Sequence, residues 1–279
     1  MSFKSITNFM HSPKTGRDAL EYSIQAALQW GAHLHVVAAG VDSTDPGFYY
    51  AGAQATAVQT NLEFAQSNAL EIEKIVRTRL DAEDITWDVE TVTLMATGLE
   101  PFLADHMRFF DLAILPLPYG YARTHIDIAA FEACLFGADI PVIVVPDAAT
   151  LQAPKSRILV AWDNGSEALI AARASLPIAK AVELTDITII DPSHAGSDRS
   201  DPGGRLAQLL ARSGANVEIN VTAKLRSSVA EQILQRATET DAELIVMGAY
   251  GHSRLKEAVL GGVTRSMMQH STVPVFLAR

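Results

Sequence analysis

The chain has 279 residues with a hydrophobic content of 48%, which is enough to bury two cores of ordinary domain size. Its 32 acidic residues outnumber the 22 basic ones and give a formal net charge of -10, which argues against nucleic acid as a partner, because affinity for a phosphate backbone comes from clustered Lys and Arg. No apolar run reaches the roughly 18 residues that a membrane span needs, so no membrane partner is expected either.

The amino terminus lacks a charged region followed by an apolar one, so no secretory leader is predicted. The chain contains one cysteine, Cys134, which agrees with a reducing compartment. Because Cys134 stands among Phe131, Leu135 and Phe136, we predict that it is a core residue and not a reactive thiol. These features together predict a cytoplasmic protein.

Short β-branched runs alternate with longer helical patterns, which is typical of βαβ units around a parallel sheet. In the first half the clearest strands are 4–9, 111–116 and 140–145. In the second half we predict strands near 157–162, 185–190, 216–221, 243–247 and 273–278, and helices near 166–182, 202–213, 227–239 and 262–270. The fold class that follows is α/β, with two tandem doubly wound domains, each an open five-stranded, mostly parallel sheet flanked by helices.

The order of patterns in the first half recurs about 130 residues later, which indicates an internal duplication. A stretch at 146–154 has two prolines and no periodicity, so we predict domains over 1–150 and 151–279. The first copy carries about 20 additional residues, which we place around 42–61. Its aromatic triplet 48–50 is interpreted as an ordinary surface loop or, as the less favoured alternative, a lid or docking patch.

The predicted strand that ends at Ala161 and Trp162 is followed directly by Asp163. An aspartate at this position either caps the following helix or accepts hydrogen bonds from the amine or ribose of a ligand. Both interpretations stay open on this residue alone.

Two glycine clusters follow the fourth strand of the second half. Gly248 and Gly251 permit a tight approach of the backbone, and Gly261, Gly262 and Val263 offer N–H groups where a helix begins. The hydroxyls of Thr264 and Ser266 could add donors. This arrangement predicts a phosphate site built from main-chain amides, although glycines that only end strands and begin turns are the alternative.

The spacing Gly248-x2-Gly251-x9-Gly261, together with the strand that leads to Asp163, resembles the nucleotide-binding motif of the universal stress protein family. The resemblance covers about 155–279 strongly and the first half as a weaker copy. It implies a Rossmann-like fold of the adenine nucleotide alpha hydrolase type. It also implies bound ATP or AMP, with or without Mg²⁺, and a role in the stress response. The cofactor-binding positions that it implies are Ala161, Asp163, Ile189, Met247, Gly248, Gly251, Gly261, Gly262, Val263 and Thr264.

One position departs from the family pattern. The residue after the third motif glycine is usually Ser or Thr in the family, and here it is Gly262, so a hydroxyl is missing from the phosphate site. A ligand-free interaction module therefore remains an alternative function, in which no cofactor binds.

The first half departs further. It has Asn8 and His11 but no acidic residue at the end of its first strand, and Pro116 and Pro118 replace the glycines of the loop. Because proline lacks an N–H donor, this half is not expected to bind nucleotide. The resemblance implies instead that the two domains of one chain pair through their last strands, and a homodimer of chains is a further possibility.

An enzyme of similar fold, such as an adenylating ligase or a slow ATPase, is the second alternative. The sequence contains no P-loop and no other motif that positions an attacking group, so no catalytic residue is assigned. No metal site is assigned either, because the pair His33 and His35 has no acidic or cysteine companion nearby in the sequence.

Overall fold

The computed structural model describes residues 3–43, 54–147, 152–192, 201–249 and 262–279. They form two compact units, an N-terminal unit (Phe3–Ile140) and a C-terminal unit (Pro141–Arg279). The division falls about ten residues before the boundary expected from the prolines at 146–154.

Strands and helices alternate in the N-terminal unit. In chain order its elements are β1 (Ser5–Met10), α1 (Pro13–Trp30), β2 (His33–Asp42), α2 (Gln54–Leu80), β3 (Trp87–Met95), α3 (Ala96–Met107), β4 (Leu112–Pro116), α4 (His125–Glu132) and a π-helical turn (Ala133–Gly137). The four strands are parallel in the order β3-β2-β1-β4, with Ile6 of β1 in register with both Leu34 and Leu112. The central strands β1 and β2 are buried along almost their whole length, as parallel strands covered on both faces are.

The C-terminal unit begins with a strand that was predicted to belong to the first domain. Its elements are β5 (Val142–Val145), β6 (Arg157–Ala161), α5 (Ser166–Ala174), α6 (Leu176–Ala179), β7 (Leu184–Ile190), α7 (Gly204–Arg212), β8 (Val217–Thr222), α8 (Val229–Glu239), β9 (Leu244–Gly248), α9 (Gly262–His270) and β10 (Val275–Ala278). The strand order is β5-β10-β9-β6-β7-β8, and all neighbours are parallel except β5 and β10.

The predicted fold class is confirmed, and the five strands predicted in the second half lie within two residues of their predicted bounds. The assignment of the strand at 140–145 differs. Val142–Val145 pairs antiparallel with Val275–Ala278, so it contributes a sixth strand to the C-terminal unit and leaves four in the N-terminal unit.

The helix predicted over 166–182 is also different, because it is divided at Ser175 into α5 and α6. Pro177 lies in the first turn of α6, where its missing N–H does no harm, whereas inside one continuous helix it would remove a hydrogen bond. Helix α1 ends at Gly31, whose φ of 61° is the left-handed conformation that glycine adopts without strain.

Part of the predicted insertion, residues 44–53, lies outside the described residues, and from Gln54 onward the chain is in α2. Across the parts of the chain that the structure describes, no helix is both long and apolar enough to cross a membrane.

Cys134 lies in the π-helical turn and is fully buried, as expected for a core residue. Burial raises the pKa of its thiol to about 12. We therefore expect the folded chain to react very slowly with Ellman's reagent at pH 8, and one thiol per chain to react once urea unfolds it. Stoichiometric labelling of the folded chain within minutes would contradict this placement of Cys134.

Candidate functional site

The strand order of the C-terminal unit reverses between β6 and β9. From β6 the chain proceeds through β7 to β8 on one side, and then returns to place β9 and β10 on the other side. In doubly wound folds the connections that follow two such strands leave the carboxyl edge of the sheet in opposite directions, with a crevice between them. Ligands of doubly wound folds bind at such a switch point.

Three predicted site residues occupy adjacent strands at this edge. Ala161, the last residue of β6, is in register with Met247 of β9 and with Thr188 of β7, which precedes Ile189. Met247 and Ile189 are buried, at 6% and 4% exposure. The structure thus places Ala161, Ile189 and Met247 near the carboxyl ends of three adjacent strands, with the side chains of Ala161 and Met247 on one face of the sheet and that of Ile189 on the other.

Asp163 follows β6 and is exposed at the mouth of the crevice. Its Oδ1 accepts the N–H of Gly165 at 2.8 Å, which forms a tight turn before α5. The residue that caps α5 is Gly165, without a side-chain hydrogen bond, so Asp163 does not cap that helix. The structure therefore excludes the interpretation of Asp163 as the cap of this helix.

Gly248 ends β9 against the first turn of α5. A Cβ at this position would lie 2.4 Å from the nitrogen of Ala168 and 2.6 Å from the carbonyl carbon of Glu167. Both neighbours are backbone atoms of a helix, so moving them aside would distort α5. Only glycine therefore lets β9 come this close to the amino end of α5.

The second glycine cluster is described only in part. Gly262 is the first residue of α9 and is exposed, Val263 is half-buried, and Thr264 is buried. Among the described residues, a Cβ on Gly262 would meet nothing within 4 Å. Gly251 and Gly261, with the loop between them, lie outside the described residues.

The equivalent helix start in the N-terminal unit carries its own carboxylate. Asp127, in the first turn of α4, accepts the N–H of Thr124 at 2.7 Å, and the Thr124 hydroxyl accepts the N–H of Ile126 at 3.2 Å. His11, which follows β1, places its Nε2 3.0 Å from Asp127 Oδ1. The helix N-terminus that would attract a phosphate is therefore already occupied by an anion.

The carboxylate of Asp127 stays ionised at neutral pH. Burial alone would raise the pKa of this group, but the hydrogen bonds from His11 and from Thr124 outweigh burial and hold the pKa below its usual value. A phosphate that approached α4 would meet this negative charge.

The expectation that His33 and His35 stand apart from any acidic residue is wrong. Asp88 and Glu90 of β3 and His106 of α3 all lie beside them. Sequence reasoning missed these companions because Asp88 and His106 follow His35 by 53 and 71 residues. The parallel pairing of β2 with β3 brings them together, and no short-range spacing signals that contact.

Comparison with known proteins agrees with this geometry. Residues 155–279, which contain the switch point and both glycine clusters, match the model of the universal stress protein family. This segment is therefore similar to universal stress protein domains. The family resemblance read from the glycine spacing is confirmed.

Two bacterial universal stress proteins are similar in sequence over short segments. One, from Synechocystis, is 31% identical over 77 residues, which are 27% of this chain and 25% of that protein. The other, from Bacillus subtilis, is 46% identical over 50 residues, 18% of this chain and 34% of that protein. The matched segments thus span about a third or less of these relatives.

The fold extends beyond the matched domain. A universal stress protein from Archaeoglobus fulgidus superimposes with a TM-score of 0.71 at 16% identity, and the match covers 99% of this chain and 96% of that one. A protein from Pseudomonas aeruginosa, also at 16% identity, gives a TM-score of 0.61 over 99% of this chain and 93% of that one. At this identity the likeness establishes the fold.

Replacing Gly248 tests the close approach of β9 to α5. We expect Gly248→Ala to lower the free energy of unfolding by about 1–3 kcal/mol, because its methyl group would overlap two backbone atoms. The measurement is a urea titration of the full chain followed by circular dichroism.

Gly98→Ala is the matched control. Gly98 lies inside α3 and a Cβ there would meet nothing within 4 Å, so alanine should raise the free energy of unfolding by up to about 1 kcal/mol through helix propensity. If the two variants are equally stable, Gly248 is not under the constraint described here.

Proposed function

We propose that this chain binds one adenine nucleotide, ATP or AMP, in the crevice between β6 and β9, and acts as a binding protein of the stress response. The observation that carries the proposal is the switch point itself. Asp163 and Gly248 leave adjacent strands there on either side of the crevice.

The base and sugar have a matching surface at the carboxyl edge of the sheet. Ala161 and Met247 present apolar side chains on one face of the sheet, and Ile189 on the neighbouring strand would contribute its backbone, which together suit a planar purine. One oxygen of Asp163 is engaged by the N–H of Gly165, and the carboxylate retains a second oxygen to accept a hydrogen bond from a ribose hydroxyl or the adenine amine.

The phosphates would meet main-chain amides. We assign them to Gly248, Gly251, Gly261, Gly262, Val263 and Thr264, because α9 begins at the exposed Gly262 and helix starts offer unpaired N–H groups to anions. Because the formal net charge of the chain is -10, its overall charge does not attract a phosphate. The local N–H dipoles at the helix start would therefore supply the attraction that binds the phosphates. Mg²⁺ would accompany a triphosphate as its own counterion.

The first half serves another purpose in this proposal. We propose that 1–150 and 151–279 are copies of one unit, of which only the second binds nucleotide, and that the copies pair through their last strands. The antiparallel pairing of Val142–Val145 with Val275–Ala278 supports this. Pairing of whole chains into a homodimer is a further step that sedimentation or light scattering can check.

Binding is tested by thermal shift and calorimetry on the untagged full chain. ATP or AMP should raise the melting temperature by several degrees at about 100 times Kd. Gly251→Val should remove the shift by blocking the phosphate loop. Asp163→Asn should weaken binding about tenfold, because the amide oxygen can keep the turn with Gly165 while the charge is lost.

Asp84→Asn is the control for Asp163→Asn. Asp84 is an exposed aspartate between α2 and β3, so this change alters net charge equally and should leave affinity unchanged. No response to any purine nucleotide would contradict the proposal and favour the ligand-free module. Phosphate release from ATP well above buffer would favour the slow ATPase.

Stoichiometry tests the difference between the two units. Because Asp127 occupies the start of α4, calorimetry should give one nucleotide per chain. Two equivalent sites per chain would show that the Asp127 carboxylate does not exclude phosphate.

A further inference from the structure

Three potential metal ligands meet in the N-terminal unit, far along the sequence from one another. His35 on β2, Glu90 on β3 and His106 on α3 each direct one ligand atom to a common point, and we call these residues the histidine–carboxylate cluster. His35 and Glu90 belong to neighbouring parallel strands, and His106 comes from the last turn of the helix that follows β3.

The separations of the ligand atoms fit a metal ion. His35 Nε2 lies 3.3 Å from His106 Nε2 and 3.7 Å from Glu90 Oε2, and His106 Nε2 lies 2.7 Å from the same oxygen. A tetrahedral ion about 2.0–2.1 Å from each ligand requires edges of about 3.3 Å. The three distances lie around that value, so an ion needs only small side-chain rotations.

A carboxylate outside the cluster sets the tautomer of His35. Its Nδ1 lies 2.8 Å from Asp88 Oδ2, and because an ionised carboxylate can only accept, Nδ1 carries the proton. The lone pair of neutral His35 is therefore on Nε2, which is the atom that points into the cluster. Metal-binding histidines are commonly oriented by a carboxylate in this way.

Asp88 also contacts a second histidine outside the cluster. His33 Nε2 lies 2.6 Å from Asp88 Oδ1, so each oxygen of this carboxylate faces one histidine of β2.

Aromatic rings hold the two histidines in place. Phe110 stacks on His35 with ring centroids 4.9 Å apart, and Phe102 stacks on His106 at 5.1 Å. His35 is buried, with 7% of its side chain exposed, whereas Glu90 and His106 are 38% and 31% exposed. The cluster is thus fixed on its inner side and open to solvent on its outer side, where a water could complete the coordination.

We propose that the histidine–carboxylate cluster binds one divalent transition-metal ion of the zinc type. Without metal, His35 Nε2 and the Glu90 carboxylate are both acceptors, so the proton on His106 Nε2 is shared between them. A divalent cation would take the place of that proton. Two imidazoles and one carboxylate suit Zn²⁺, whereas Mg²⁺ and Ca²⁺ prefer sites made only of oxygen. The ion would tie the edge strand β3 and helix α3 to β2.

The test uses metal-free, untagged full chain with Zn²⁺ as the probe, in competition with a chromophoric chelator. We expect one Zn²⁺ per chain with a Kd of about 10 µM or tighter. Saturating Zn²⁺ should raise the melting temperature by about 5 °C. Co²⁺ should give the intense visible absorption of a tetrahedral site with nitrogen and oxygen ligands.

Variants separate binding from folding. Glu90→Gln and His106→Gln change half-exposed side chains and should keep the fold by circular dichroism while weakening Zn²⁺ binding at least tenfold. Asp88→Asn should weaken it about 10- to 100-fold through His35. His125→Ala and His270→Ala, at exposed histidines of α4 and α9, are controls and should change Kd less than twofold.

Two results would overturn the proposal. The first is the absence of stoichiometric Zn²⁺ binding by the folded wild-type chain. The second is Zn²⁺ binding that survives Glu90→Gln and His106→Gln but is lost in either control variant, which would place the metal at exposed histidines.

Discussion

The reversal of strand order between β6 and β9 is the constraint on which the proposed site depends. In a parallel sheet joined by right-handed crossovers, the carboxyl ends of all strands lie at one edge. Only at the reversal do the connections that follow two neighbouring strands diverge. The sequence places Asp163 after one of these strands and Gly248 at the end of the other. Their proximity is a property of the topology, because the two residues are far apart in the chain.

Both units have this reversal, since the N-terminal strands are ordered β3-β2-β1-β4 and the corresponding C-terminal strands β8-β7-β6-β9. The difference lies in the helix that starts after the fourth strand. In the C-terminal unit α9 begins at the exposed Gly262, and in the N-terminal unit Asp127 satisfies the start of α4 and is paired with His11. The two helix starts therefore differ, because the first turn of α4 carries a carboxylate and the first residue of α9 is a glycine.

Most of the strands and helices could be predicted from the sequence, because short-range residue patterns determine them. Runs such as the one ending at Met247 are apolar and β-branched, so they predict buried strands, and Gly248 marks the end of one. The subdivision of the helix after Asp163 could have been read from Pro177. The pairing of Val142–Val145 with Val275–Ala278 was implied only by the family resemblance, because strand pairing depends on contacts that no local pattern records.

The histidine–carboxylate cluster shows the same limit more sharply. His35, Glu90 and His106 are each unremarkable in the sequence, and only the register of β2 with β3 and the return of α3 bring them together. Residues at the carboxyl ends of neighbouring strands can be predicted to lie close together once the strand order is known. Residues that meet across one face of a sheet depend on register and packing, and these require the structure.

Hydrogen exchange followed by mass spectrometry, with and without saturating ATP or AMP, tests the location of nucleotide binding most directly. Slower exchange is predicted in peptides that contain Asp163 and the first turn of α5, and in those around Gly248 and the start of α9, with no change in Phe3–Ile140. Protection of the N-terminal unit, or nucleotide binding that leaves the peptides around Asp163 and Gly248 unchanged, would contradict the account.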